Sequence, residues 1–287
     1  MSGFVEIVFL LTAPLLLAAC GELVLERAGS IQIGAEGTML VGAFVAFVAA
    51  MRSGSPALAL AAGLAGGLAG GAVFALVAVA GRADPILVGT AWNLVAFGGT
   101  AFGYRLAAGE TGALLSVPVL GPGPLGLPTP VLAVFLLPLL VHAGLRLTRP
   151  GLRLAAAGEN PAALRALGLS VVAVRTGAAL FSGGAAGLAG ALLVVTVSPT
   201  FAEGMTAGRG FLALALVVFA RWKPLRLVPA ALLFGAAGAL QVRLQASGGS
   251  AIPYPFFVAL PALLALLALA VSPGRGGAPK ALGTPAP

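Results

Sequence analysis

Glu36 and Gln32 stand four residues apart in the run ERAGSIQIGAEG at 26–37, a polar, glycine-rich interruption between two apolar segments. Further along lie Asn93 inside an apolar run, Glu203 and Arg209 in TFAEGMTAGRG, and Gln241 with Gln245 four residues on. Carboxyl, amide and guanidinium groups set among apolar residues can hydrogen-bond a polar solute. In a bilayer such groups are costly, and more often functional than on a soluble surface. Each also has a structural alternative. Glu36 is either a pathway group or a cap for a helix beginning at Thr38, because acids suit helix starts. Asn93 bonds either solute hydroxyls or a neighbouring helix. Glu203 and Arg209 either pair with each other or meet an external partner. Gln241 and Gln245 share one helical face, turned to solute or to packing.

No catalytic or metal constellation accompanies these groups. The chain has one histidine, His142, one cysteine, Cys20, and one aspartate, Asp84. A membrane-embedded transferase would need clustered acids to hold a metal, and a single cysteine forms no internal disulfide. His142, Trp92 and Trp222 read as structural or interfacial residues. No Gly-x-x-x-x-Gly-Lys-Ser/Thr run is present, so the chain does not cradle ATP phosphates in that way. No cofactor is expected.

These side chains must be positioned by membrane helices. Hydrophobic residues make up 60% of the 287, charged residues 8%, and mean hydropathy is +1.09, whereas a soluble domain carries about a quarter charged residues. The net charge of +8 sits in loops between apolar runs, as the positive-inside rule expects, so nucleic acid is not a partner and membrane lipid is. The Leu17-Ala18-Ala19-Cys20 run imitates a lipoprotein cleavage box. The first 26 residues hold no Lys or Arg, and a signal peptide needs a basic start.

The expected architecture is an all-α polytopic bundle of about nine spans with broken or re-entrant segments. The spans fall at 4–25, 38–51, 56–80, 86–107, 131–147, 176–197, 211–220, 227–245 and 255–271. The second is short: fourteen residues rise about 21 Å, less than a core of about 30 Å. Part of 28–37 therefore lies at membrane depth, where non-helical backbone must be buried in protein or line a wet cavity. The seventh, ten apolar residues, is half a span. Gly63, Gly67 and Gly71 recur every four residues and form a flat face for close packing, and 182–190 offers a second small-residue face. Residues 1–271 form the transmembrane domain, and 272–287, rich in Gly, Pro and Ala, are expected to be a disordered cytoplasmic tail. Placing the middle loop inside puts twelve of the sixteen basic residues on the cytoplasmic side, with an external N-terminus.

That middle loop, 148–175, carries Arg149, Arg153, Arg165 and Arg175. Asn160-Pro161 is a helix start, because Asn caps free N–H groups and Pro suits the first turn. Gly168 is a stop. The helix between them either docks its Ala and Leu positions in a groove of another protein, with Arg165 at the rim, or lies on the membrane surface.

The run AAAGENPAALRALGLSV in this loop resembles the cytoplasmic coupling segment of permease subunits of ATP-binding-cassette importers for branched-chain amino acids, simple sugars and nucleosides. Three further stretches resemble the same family in the same order: 26–37, FSGGAAGLAGA at 181–191, and GRGFLALALVVFARWKP at 208–224. Together they cover most of 20–240, and the Glu-Gly ending of the first is most like the shorter nucleoside and simple-sugar permeases. Two departures bear on specificity: Gln32 stands where Asn is usual, and Ala35 where a larger residue is usual. The resemblance implies a multi-pass protein of a bacterial inner membrane with no ATP hydrolysis of its own. It implies an ATPase partner, its two nucleotide-binding domains fused, a second and longer permease, and an extracytoplasmic solute-binding lipoprotein that Glu203 and Arg209 could contact. Gly158, Glu159, Asn160, Pro161, Ala163, Leu164, Arg165 and Gly168 would couple to the ATPase. Gln32, Glu36, Asn93, Glu203, Arg209 and Gln241 are candidates for the pathway of a nucleoside or simple sugar. The alternative, a secondary transporter or channel, would need an ion-coupling acid in mid-span, and nearly all the acids lie at span ends or in loops.

Overall fold

Capping chemistry sets several of the helix boundaries. The computed structural model describes residues 2–108, 116–246 and 277–284, and the secondary structure among them is helical. Helix α1 (Ser2–Arg27) is followed by the non-helical turn 28–34 and then by α2 (Ala35–Ser53). Gly54, at φ 65°, ends α2 by donating to Ala50 O. Such a left-handed stop favours glycine, which has no Cβ to clash. Ser55 caps α3 (Pro56–Phe74), which continues as a wider π-turn over Ala75–Ala80. The only aspartate of the chain, Asp84, accepts from Ile86 N at 2.8 Å and so caps α4 (Pro85–Ala108). In each case Pro follows the cap, where its missing N–H costs nothing.

The fifth expected span is divided into α5 (Thr129–Val134) and α6 (Leu137–Leu147). Pro138 brings no N–H for the preceding turn, so the helix breaks there. The middle loop holds two helices where one was expected. Thr148 caps α7 (Arg149–Glu159) by accepting from Gly151 N. Asn160 then caps α8 (Pro161–Ala166) by accepting from Ala163 N at 3.1 Å, and Gly168 turns the chain at φ 74°. Helix α9 (Val171–Leu192) ends in a π-turn over Leu193–Val197, α10 (Arg209–Phe219) follows, and α11 (Pro224–Ala246) closes the main described block.

Among the described residues, seven helical segments are long and apolar enough to cross a membrane. Helix α10 is a shorter apolar helix of 11 residues, about 16 Å long, too short to cross by itself. The ninth expected span, 255–271, lies outside the described residues.

Helices α1 and α9 are the centre of the bundle and α4 is at its edge, with Leu87, Leu94, Val95 and Phe102 exposed. The two small-residue faces anticipated in the sequence meet each other. Gly63, Gly67 and Gly71 of α3 lie against Gly183, Gly187 and Ala179 of α9, and Gly42 of α2 meets Gly187 from the other side. A Cβ on Gly187 would fall on backbone atoms of both Gly63 and Gly67. Backbones this close gain dispersion contacts that larger residues would forbid, which holds helices together where lipid removes the hydrophobic drive.

Two expectations need correction here. Leu164 of α8 does not project toward a partner. It is buried against Ala157 and Val171, because its position on this one-and-a-half-turn helix faces the α7–α9 corner. The exposed apolar contributions are Ala162, Ala163, Ala166 and Leu167. The tail is not structureless over 277–284: it forms turns bonded to the end of α7 and to α9, with Ala281 buried.

Candidate functional site

The turn 28–34 lies within the bundle, and side chains from four helices, α1, α2, α4 and α9, satisfy its backbone. Glu22 of α1 accepts from Gln32 N at 2.8 Å and from Ser182 Oγ of α9 at 3.1 Å. Ser182 lies seven residues along α9 from Arg175, so the contact is about 10 Å inward from that end. From α4, Asn93 Nδ2 donates to Ile33 O at 3.0 Å and Asn93 Oδ1 accepts from Gly37 N at 2.7 Å. One Asn side chain thereby pairs a carbonyl at the end of the break with an amide in the first turn of α2, as its donor and acceptor ends allow. The Thr38 hydroxyl donates to Gly34 O and accepts from Trp92 Nε1 at 2.9 Å and Gln32 Nε2 at 3.3 Å. Gly89 lets α4 approach this closely: a Cβ there would sit 2.6 Å from Gly34 N.

Glu36 joins this break to a second one. It lies in the first turn of α2, yet its carboxyl does not cap that helix. It accepts from Thr206 Oγ1 at 2.6 Å, Gly208 N at 2.8 Å and Gly210 N at 2.6 Å. These groups surround the N-terminus of α10, where unpaired N–H groups and the helix dipole favour an acidic partner. The segment 198–208 therefore packs its turns against the start of α2 and leads into α10. Trp222, just past the end of α10, donates from Nε1 to Glu26 Oε2 of α1 at 2.5 Å.

The remaining candidates separate. Arg209 does not pair with Glu203: its Nη1 donates to Met205 O and Thr206 O, beside the Glu36 junction. Glu203 instead makes an exposed ion pair with Arg105 at 3.4 Å, a contact of little stabilising worth. Gln241 is half-buried on α11, two residues before Arg243, which lies over the Phe4 ring. Phe4 is about 27 Å along α1 from Glu22, so Gln241 is remote from the break. Gln245 lies where side chains are not described. Of the middle-loop residues, Glu159, Asn160, Ala163, Arg165 and Gly168 are exposed, Pro161 is half-buried, and Gly158 and Leu164 are buried.

Sequence reasoning missed Glu22, Glu26, Thr38, Ser182 and Thr206, and read Trp92 and Trp222 as mere anchors. Glu22 and Glu26 carried a readable signal, two acids four apart on one helical face inside an apolar run, and both are buried. The cluster binds backbone at both breaks, 28–34 and 198–208. Two of its acceptors, Gln32 Oε1 and Glu26 Oε1, are buried without a hydrogen-bond partner. Glu36 joins the two breaks through hydrogen bonds alone, and Asn93 holds the first of them.

Apolar crossing helices around two polar-bonded breaks define a multi-pass membrane transport protein. The chain belongs to the family described as the permease component of branched-chain amino acid transport systems, whose model matches residues 4–270. It is a permease, and ATP hydrolysis belongs to a separate subunit. The guanosine ABC transporter permease protein of Bacillus subtilis is 33% identical, covering 99% of this chain and 96% of its own length. The nucleoside ABC transporter permease protein of Lactococcus lactis subsp. cremoris is 31% identical over 95% of this chain and 92% of its own. A Haloferax volcanii protein provisionally named as a glucose ABC transporter permease is 36% identical over 80% of this chain and 74% of its own. No solved structure matches the chain.

Proposed function

We propose that the chain forms, with a second and longer permease, the pathway of an ABC importer for nucleosides, with simple sugars as the next solute class. Its energy comes from an ATPase partner with two fused nucleotide-binding domains, and an extracytoplasmic lipoprotein delivers the solute. The names of the two relatives that span nearly the whole chain support nucleosides. A binding protein encoded beside this chain, titrated with a panel of nucleosides and sugars, decides the solute class.

The observation that carries the coupling role is α8. It is a short helix fixed at both ends, by the Asn160 cap and by the Gly168 turn, and it presents Ala162, Ala163, Arg165 and Leu167 outward. Leu164 beneath it anchors the helix to Ala157 and Val171, so force on the exposed side is passed to α7 and α9. Substitution of Gly168 by Leu strains the left-handed turn and is expected to lower solute uptake at least about fivefold, the lower end of ordinary coupling effects. The chain should still accumulate in membranes, and the ATPase partner should still hydrolyse ATP. Undiminished solute-stimulated ATPase in Gly168→Leu and Asn160→Trp would remove α8 from the coupling path.

The basic-residue bias supports an external N-terminus and a cytoplasmic 148–175 segment in a bacterial inner membrane. A cysteine replacing exposed Ala163 should react with a membrane-impermeant maleimide only after the cells are opened. The native Cys20 is fully buried and should stay silent. Labelling of Ala163→Cys in intact cells would reverse the orientation.

A further inference from the structure

Residues 277–284 lie where three distant parts of the chain meet: the end of α1, the end of α7 and the first turn of α9. Ala281 N donates to Gly158 O at 2.8 Å, and Gly283 N donates to Gly29 O at 3.2 Å. Arg175, 1% exposed, donates from Nε to Ala28 O at 3.1 Å and from Nη1 to Thr284 O at 2.8 Å. The approach is close enough to require glycine at both contacts. A Cβ on Gly158 would collide with Arg27 O and stand 3.1 Å from Pro279 Cβ, and one on Gly29 would stand 2.8 Å from Arg175 Nη2 and 3.2 Å from Ala281 O. Gly29 also holds φ at 88°, the turn that leads into the re-entrant stretch. Ala278 and Leu282 pack against the main core.

We propose that this tail segment is a brace for coupling, and that Arg175 is the positioning residue that seats it. The brace ties Gly158, next to α8, to Gly29, the entrance of the break held by Glu22, Asn93 and Glu36. Displacement of α8 is thereby delivered to 28–37. Without the brace, the end of α7 and the entrance of the break are joined through packing alone. Ordering the tail costs conformational entropy, and removing it leaves Arg175 Nη1 and Gly158 O without these partners, a loss that buried polar groups do not tolerate freely. Lysine cannot replace Arg175, because its single ammonium lacks the planar fork that reaches Ala28 O and Thr284 O together. The inference rests on the reading of 148–175 as the ATPase-coupling segment.

Hydrogen–deuterium exchange on the complex of this chain with its ATPase and second permease tests both readings, with ATP plus vanadate as the probe. In the full chain, vanadate trapping should shift exchange in peptides covering 149–168 and also in those covering 28–37. In a chain stopped before Gly277, and separately in Arg175→Lys, the shift at 149–168 should remain while the shift at 28–37 is lost. Retention of both shifts without the tail overturns the brace and leaves the coupling segment intact. Loss of both would make the tail part of ATPase docking, which also overturns it. Absence of a shift at 149–168 in the full chain overturns the coupling reading and the brace with it.

Discussion

Replacement of Glu36 by Ala should remove most transport and lower the thermal midpoint of the detergent-solubilised protein. Three donors, Thr206 Oγ1, Gly208 N and Gly210 N, lose their acceptor together. Glu36 and Thr206 are both buried, so water does not take its place freely. A buried donor left unpaired costs about 1–3 kcal/mol, and the three act as a unit, so a total of about 3 kcal/mol or more is expected. Arg209 also loses the acidic neighbour at its junction. Glu36→Gln should be intermediate. Its carbonyl still accepts, but its amide places a second donor against the α10 N–H groups. A Glu36→Ala protein with unaltered uptake and unaltered midpoint would show that the α2–α10 junction does not hold the second break.

Gly187→Val should be more severe, because backbone atoms must move instead of side chains. The added Cβ would overlap Gly63 O and the Cα and N atoms of Gly67. Overpacking of a core costs about 1–3 kcal/mol when side chains can rearrange. Here α3 and α9 must separate, so more than about 3 kcal/mol is expected and folded protein should be lost from membranes. Gly66→Ala is a control on α3, the helix that Gly187 of α9 faces. Its Cβ would meet Val45 Cγ2 at 3.4 Å, an ordinary contact, and expression and midpoint should be unchanged. Equal behaviour of the two variants in a fluorescence-detected size-exclusion assay would refute the close α3–α9 crossing.

Where a feature depended on local pattern, it was legible. The positions of α1–α4, α9 and α11 follow from apolar runs of sufficient length, and the half-length of α10 from ten apolar residues between polar flanks. The ends of α8 follow from Asn160-Pro161 and Gly168. The break at 28–34 was legible as a polar, glycine-rich run between apolar ones, but the short second span was not borne out: α2 starts at Ala35 and its 19 residues are long enough to cross a membrane. Helix α7 was missed because Gly151, Gly158 and two arginines read as loop, although Thr148 and Pro150 were available as start signals. The fifth span was read as unbroken although it contained Pro138.

Pairings at long range were not legible. Glu36 seemed placed to cap its own helix, and it instead caps one that begins 173 residues later. Glu203 seemed placed to pair with Arg209, and it meets Arg105 from α4. Composition alone made the tail look structureless, yet its turns close on Gly29, Gly158 and Arg175.

The sequence by itself determined a helical membrane permease, its breaks, its glycine faces and the caps of its middle loop. Those features arise from hydropathy, residue rise and backbone chemistry within a few residues of each other, where spacing is enough to compute the outcome. Only the tertiary structure decided which acceptor satisfies which donor. A carboxyl or amide buried in a bilayer must find a partner, but the need does not name the partner. That choice is made when whole helices pack and bring Glu22 to Ser182, Asn93 to the 33–37 backbone, Glu36 to α10 and Arg175 to the tail.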